Sequence, residues 1–144
     1  MTRYEPISQW MTAAPWTLDE SETVERAAEL FRTQHIRHLP ILREGRLAGI
    51  LSERDMFVAT QFAQTRGLAV GVLMAPDPVT VAPDATLSAV AEKLWVTREG
   101  AAVIVEGGRV LGVFTAVDAL RALAGRANVP VVTDPILGAE HRTD

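Results

Sequence analysis

Two stretches of the chain carry apolar residues at the three- and four-residue intervals of an amphipathic helix. The two sets are Val24, Ala27, Ala28 and Phe31, and then Leu87, Val90, Ala91 and Leu94. Because an α-helix has 3.6 residues per turn, this spacing places each set on one face. The pattern predicts two helices that pack against a core, with Ser21 and Asp84 ahead of them as candidate N-caps.

Short apolar runs around a glycine-containing turn follow each predicted helix. They cover residues 39–42 and 47–51 in the first half, and 102–105 and 110–114 in the second. Runs of this length joined by a tight connection with glycine are typical of β-hairpins. We expect a further helix after each hairpin, at about 53–64 and 116–124, and a short strand before each first helix, near 16–18 and 79–81.

The two halves form an internal repeat at an offset of 63 residues. Residues 11–55 align with 74–118 without a gap, and 11 of the 45 aligned positions are identical. Unrelated sequences of ordinary composition would share about three. One strand-helix-strand-strand-helix unit would leave an apolar sheet face in water. We therefore expect an α/β (α+β) fold in which two pseudo-twofold related units pack through their sheets.

Composition and charge narrow the class of protein. A net charge of -4 argues against sequence-independent binding of nucleic acid, which needs a basic face. The absence of cysteine excludes disulfides and thiolate metal sites. Glu5 and Pro6 precede any apolar run, and no stretch approaches the roughly 18 apolar residues of a membrane span. We expect a soluble, cytoplasmic protein without a membrane or nucleic-acid partner.

Three segments of the first half and one of the second resemble the cystathionine beta-synthase (CBS) domain. They are residues 10–12 (WMT), 37–41 (RHLPI), 45–55 (GRLAGILSERD) and 112–118 (GVFTAVD). The resemblance implies a stand-alone pair of CBS repeats, called a Bateman module, with repeats at 7–66 and 67–125 and a C-terminal tail at 126–144. It further implies a regulatory protein that binds AMP, ADP, ATP or S-adenosylmethionine between its repeats, needs no obligatory cofactor and acts on another protein.

The pattern Gly-x-x-Ser/Thr-x-x-Asp occurs once in each repeat, as Gly49/Ser52/Asp55 and as Gly112/Thr115/Asp118. A hydroxyl three residues ahead of an acid at the start of a helix is also a capping box. The capping and binding interpretations are compatible, because a helix N-terminus attracts phosphate. By resemblance, the aspartate holds a ribose, the hydroxyl reaches toward the phosphates, and the glycine leaves room for the ligand.

The two predicted clefts differ in charge. The resemblance directs Arg37 and His38 toward a ligand phosphate, but their counterparts in the second repeat are the uncharged Gly100 and Ala101. In related modules a cleft combines the hydroxyl and acid of one repeat with the loop of the other. On that basis Thr115 and Asp118 share the competent cleft with Arg37 and His38, while Ser52 and Asp55 face the weaker one. Thr12, from the opening motif, completes the set of candidate ligand-binding residues.

No catalytic set is visible in the sequence, so we expect no enzyme activity. His35, His38 and the tail residue His141 are too few, without cysteine, to indicate a metal site.

We expect a homodimer, because the second helix of each repeat keeps apolar residues that a small module leaves uncovered: Phe57, Phe62, Leu120 and Leu123. The alternative is a structural or interaction module with no nucleotide ligand, which the degenerate second repeat favours.

Overall fold

The computed structural model describes residues 3–125 and the strands at 131–134 and 139–142. The first half contains β1 (Thr12–Ala13), β2 (Leu18–Asp19), α1 (Val24–Gln34), β3 (His38–Arg43), β4 (Arg46–Ser52) and α2 (Glu53–Phe62). The second contains α3 (Val70–Leu73), β5 (Ala75–Pro76), β6 (Thr80–Val81), α4 (Leu87–Thr97), β7 (Ala101–Glu106), β8 (Arg109–Thr115) and α5 (Ala116–Leu123). A 3-10 turn, Ile7–Gln9, opens the chain, and β9 (Val131–Asp134) pairs with β10 (Ala139–Arg142) in the tail. The mixed α and β composition and the element order confirm the predicted fold class.

Each repeat contributes a four-stranded sheet, but the repeats exchange their first strands. The sheet orders are β2-β3-β4-β5 and β1-β8-β7-β6. Strand β1 of the first repeat therefore lies beside β8 of the second, and β5 of the second lies beside β4 of the first. The two exchanged strands are equivalent at the 63-residue offset. This exchange ties the two halves together along both sheets.

Two hydrophobic cores follow the same exchange. One core lies between α1 and the sheet of the first repeat, and Val70 from α3 completes it. The other lies between α4 and the second sheet, and Ile7 from the opening turn completes it. Both residues are fully buried, and both donate a backbone N–H at 2.7 Å to a carbonyl of the repeat that they join. The packing units are thus not continuous in sequence.

The helices α1 and α4 begin two residues after the positions that the sequence suggested. The N-caps are Thr23 and Thr86, whose hydroxyls accept backbone N–H groups at 3.2 and 3.1 Å. The prediction of Ser21 and Asp84 as caps is wrong. Thr23 is held extended by a bridge to Ala69, which delays the helix start, and the hydroxyl of Ser21 donates instead to Asp19.

Both hairpins form where they were predicted. Their turns, Glu44-Gly45 and Gly107-Gly108, have positive φ at both central residues, which is the geometry of a type I′ turn. The two turns also touch, because the backbone N–H of Leu47 donates to the carbonyl of Gly108 at 3.0 Å. The sheets therefore meet along β4 and β8. Within the described residues, every helix is too short or too polar to cross a bilayer.

Candidate ligand-binding cavity

A cavity of about 1280 Å³ lies where the two repeats meet. Its walls come from α1, α2, the start of β3 and the end of β4 in the first repeat. Residues 98–101, the loop after α4 and the first residue of β7 in the second repeat, close it from the other side. A volume of this size is ample for a nucleotide, since pockets for small molecules typically span about 300–1,000 Å³.

Sheet register brings Arg37, His38 and Ser52 to one edge of this cavity. His38 lies directly opposite Ser52 in the β3–β4 ladder, and the N–H of Glu53 donates to the carbonyl of Arg37 at 2.9 Å. The two-residue turn and a register shift between Ile41 and Leu42 together set this pairing within the hairpin. The first-repeat loop therefore lies next to the hydroxyl of its own repeat.

Ser52 caps α2, and this leaves the carboxylate of Asp55 available. The hydroxyl of Ser52 accepts the N–H of Asp55 at 3.0 Å, as the capping interpretation predicts. The side chain of Asp55 is exposed, and within residues 3–125 its carboxylate accepts no hydrogen bond and forms no ion pair. The start of α2 thus combines the Ser52 cap with the Asp55 carboxylate, which can accept hydrogen bonds from ligand hydroxyls.

Cations outnumber anions around the cavity. Its charged lining comprises Arg32, Arg37, Arg54 and Arg98, and on the acidic side Glu53, Asp55 and Glu99. The ion pair between Arg37 and Glu53 is 3.5 Å long and largely exposed, so it holds Arg37 weakly. The guanidinium of Arg98 lies 4.2 Å from the ring centre of Trp95, a cation–π contact that orients it. The site is thus suited to an anionic ligand.

His38 lies at the centre of the arrangement. Its imidazole faces Gly100 of the second repeat, where an added Cβ would stand 3.4 Å from Nε2. Burial lowers the pKa of His38 below its ordinary 6.5. The negative charges of Asp55 and Asp118 oppose this effect, and the positive charge of Arg37 adds to it. His38 is therefore kept mainly neutral near neutral pH.

Thr115 and Asp118 form a closed structural unit and do not line this cavity. The carboxylate of Asp118 accepts the N–H of Thr115 at 2.8 Å and pairs with Arg121 at 2.9 Å, while the hydroxyl of Thr115 accepts the N–H of Asp118. Both members of the ion pair are largely buried. The cavity thus groups Ser52 and Asp55 with Gly100 and Ala101, as expected, but it also contains Arg37 and His38, which were expected to lie with Thr115 and Asp118.

The two motif glycines make room for protein, not for a ligand. A Cβ on Gly49 would stand 2.7 Å from the carbonyl oxygen of Ala75, and one on Gly112 would stand 2.7 Å from Cγ of Met11. The exchanged strands β5 and β1 occupy this space, which corrects the expectation of close ligand approach. Thr12 lies in β1 opposite Val113, and its counterpart Ala75 lines the cavity instead.

The sequence reasoning missed Arg98 and Glu99, which complete the cavity from the second repeat. At the 63-residue offset they correspond to His35 and Ile36, just ahead of Arg37. Arg98 ends α4 in the left-handed conformation, as His35 ends α1. Extending the comparison of the two loops by two residues would have identified them.

The fold and the cavity define a class of protein: a tandem-repeat module with a cavity between its repeats. The family model for the CBS domain matches residues 7–60 and 70–125. The chain therefore belongs to the CBS domain family, and it carries a pair of the domains.

Individual relatives agree with this assignment. The chain is 34% identical over 104 residues to an inosine-5'-monophosphate dehydrogenase of Korarchaeum cryptofilum, a match that covers 71% of this chain and 21% of that protein. It thus spans about a fifth of the dehydrogenase. Among solved structures, a putative acetoin utilization protein (AcuB) from Vibrio cholerae superposes with a TM-score of 0.76 at 27% identity, covering 83% of this chain and 90% of that one. CBSX2 in complex with AMP superposes with a TM-score of 0.74 at 25% identity, covering 84% and 97%.

Proposed function

We propose that this CBS pair is a regulatory module that binds an adenosine-containing ligand in the cavity of Ser52 and Asp55. The observation that carries the proposal is the exposed carboxylate of Asp55 at the start of α2, which has no partner among the described residues and lies in a cavity rich in guanidinium groups. The complex of the similar protein CBSX2 with AMP supports this ligand class. AMP, ADP, ATP and S-adenosylmethionine are the candidates.

Each part of such a ligand has a counterpart in the cavity. The carboxylate of Asp55 accepts hydrogen bonds from both ribose hydroxyls, a charge-assisted pairing. Arg37 and Arg54 neutralise the phosphate near the positive end of the α2 dipole. Val24, Phe31 and Ile50 supply apolar surface for the base. This assignment moves the competent site from Asp118, which is engaged by Arg121, to Asp55.

Regulation follows from the position of the cavity. A ligand that touches α2 of one repeat and residues 98–101 of the other stabilises one relative arrangement of the repeats. A partner protein that binds this arrangement more tightly than other arrangements is coupled to the ligand, because the ligand favours the same arrangement. The module acts through such a partner or through self-association, and it has no catalytic role of its own.

Self-association is proposed through α2 and α5. Their apolar residues are widely exposed: Phe57 at 62%, Phe62 at 86%, Leu120 at 64% and Leu123 at 73%. A homodimer that pairs these helices would cover this surface, and a closed twofold dimer is the commonest oligomer. The same exposure supports the alternative function, an interaction module that needs no nucleotide.

Calorimetry on the full chain distinguishes the two functions. AMP, ADP, ATP and S-adenosylmethionine are titrated into the parent protein and into Asp55→Ala. We expect heat from at least one ligand with the parent and at least a tenfold loss of affinity in the variant. The absence of heat with all four ligands would favour the interaction module. Unchanged affinity in Asp55→Ala would keep a ligand but move it away from this cavity.

A further inference from the structure

His38 lines the cavity and carries an unsatisfied polar atom. Its Nδ1 is buried and has no hydrogen-bond partner among the described residues. On the other side of the ring, Nε2 faces Gly100, which has no side chain to offer. A buried polar atom without a partner is unfavourable, so a turn of the ring that gives Nδ1 a ligand acceptor in the cavity would be favoured.

The charges around the His38 ring act in opposite directions on its protonation, so a bound ligand could change it. Asp55 of α2 and Asp118 of α5 favour the imidazolium form, whereas Arg37 beside it disfavours that form. Arg98 and Glu99, next to the facing Gly100, carry opposite charges and line the same cavity.

Neither carboxylate outweighs the effect of burial on the imidazole. Asp118 is engaged by Thr115 and Arg121. Asp55 lies in exposed surroundings that screen its charge. Burial therefore prevails and the pKa of His38 stays below 6.5. One additional anion at the ring would reverse this balance.

We infer that a phosphorylated ligand binds in the cavity together with a proton taken up by His38, so that affinity rises as the pH falls. The inference rests on the function proposed above and adds its regulation. Once the ring turns toward the cavity, a phosphate oxygen accepts the hydrogen bond that Nδ1 otherwise lacks, and its negative charge stabilises the imidazolium. The module then reports nucleotide and acidity together. A ligand without phosphate, such as adenosine, gains no proton.

The size of the effect follows from linkage. In the pH window between the pKa of His38 in the free protein and its higher value in the complex, each unit decrease in pH tightens the dissociation constant up to about tenfold. Below this window the imidazole is charged in both states and the dependence ends. Above it the ring is neutral in both states. The secondary phosphate group of the nucleotide itself titrates near pH 6, so the comparison must be between proteins and not between pH values alone.

The test is calorimetry of AMP binding to the full chain in two buffers of different ionisation enthalpy, which gives the number of protons taken up. His38→Gln keeps a side-chain N–H donor but cannot titrate. Arg32→Gln is the matched control, because it removes a cation that lines the cavity, has no assigned ligand contact and leaves the imidazole and its charged neighbours in place. We expect the parent and Arg32→Gln to take up more protons than His38→Gln, by up to about one per AMP at a pH near 6.5. Adenosine should show no such difference.

The outcomes separate the two proposals. If AMP binds with the same proton number to the parent and to His38→Gln, proton linkage is wrong and the nucleotide site stands. If the difference appears equally with adenosine, the phosphate is not its cause and the inference is likewise overturned. If no ligand binds the parent protein, the proposed function falls, and this inference falls with it. NMR titration of the imidazole with and without AMP gives a second reading, in which the pKa of His38 must rise on binding.

Discussion

The equivalent carboxylates of Asp55 and Asp118 should respond to removal in opposite ways. Both occupy the same position in the repeat, three residues after the hydroxyl that caps the following helix. Asp118 is buried, accepts the N–H of Thr115 and pairs with Arg121. Asp55 is exposed, and its carboxylate is unpaired within residues 3–125. We therefore predict that Asp118→Ala damages stability and that Asp55→Ala damages ligand binding.

The structure sets the size of each effect. Breaking the buried ion pair between Asp118 and Arg121 by removing its carboxylate costs about 3–5 kcal/mol. For a chain of this length that corresponds to a fall in melting temperature of roughly 6–20 °C, since each kcal/mol changes it by about 2–4 °C. Asp55→Ala alters an exposed side chain and should change the unfolding free energy by less than about 0.5 kcal/mol.

The ligand response should show the reverse order. At a hundredfold excess over the dissociation constant, a bound nucleotide stabilises the fold by about 2.7 kcal/mol. Loss of a charged acceptor worth about 1.5–3 kcal/mol would leave about 0.3–1.3 kcal/mol of this in Asp55→Ala under the same conditions. Asp118→Ala should keep nearly all of the stabilisation by bound nucleotide, measured relative to the same variant without ligand.

Thermal and chemical denaturation of both variants, with and without AMP, provides the assay. Asp118→Asn, which keeps the side-chain volume and one acceptor, is the milder substitution if the alanine variant does not fold. Equal melting temperatures for the two unliganded variants would refute the buried ion pair as a source of stability. A larger loss of the AMP response in the Asp118 variants than in Asp55→Ala would return the site to the second repeat.

Three further predictions follow from other features. The pKa of His38 is lowered in the fold, so the unfolded chain binds more protons between that value and 6.5; stability should fall with decreasing pH across this window, and His38→Gln should flatten the dependence in denaturant titrations. Gly112→Ala should cost about 1–3 kcal/mol of unfolding free energy by overpacking against β1, whereas Gly100→Ala, whose Cβ meets only ordinary contacts, should be nearly neutral. Leu120→Glu should yield monomers by light scattering if α5 pairs with a second copy, and a dimer that persists would place the interface elsewhere.

Much of the fold was accessible from sequence because its signals are local. The apolar spacing of α1 and α4 and the glycine turns of both hairpins depend on residues within one element. The 63-residue repeat then required that both halves adopt the same structure. The Ser/Thr-x-x-Asp pattern predicted the helix starts at Ser52 and Thr115 for the same reason, since a cap is formed by neighbours in the chain.

The exchange of β1 and β5 could not be seen in the sequence. Strands of two residues carry no periodicity, and nothing in the chain indicates which sheet such a short segment joins. The same exchange explains why Gly49 and Gly112 are required. Their space is filled by residues from the other half of the chain, so a ligand-based explanation was equally consistent with the sequence.

Tertiary structure decided the different roles of Asp55 and Asp118. In sequence the two aspartates have the same spacing from the hydroxyl that caps their helix. Burial and the partner Arg121, one helical turn after Asp118, engage that carboxylate in the fold. Val58 stands at the equivalent position of the first repeat, and no ionic partner for Asp55 lies among the described residues. The sequence by itself determined two equivalent helix starts. Only the packing of each helix decided which carboxylate supports the protein and which remains available to a ligand, because the strength and availability of a charge depend on what surrounds it.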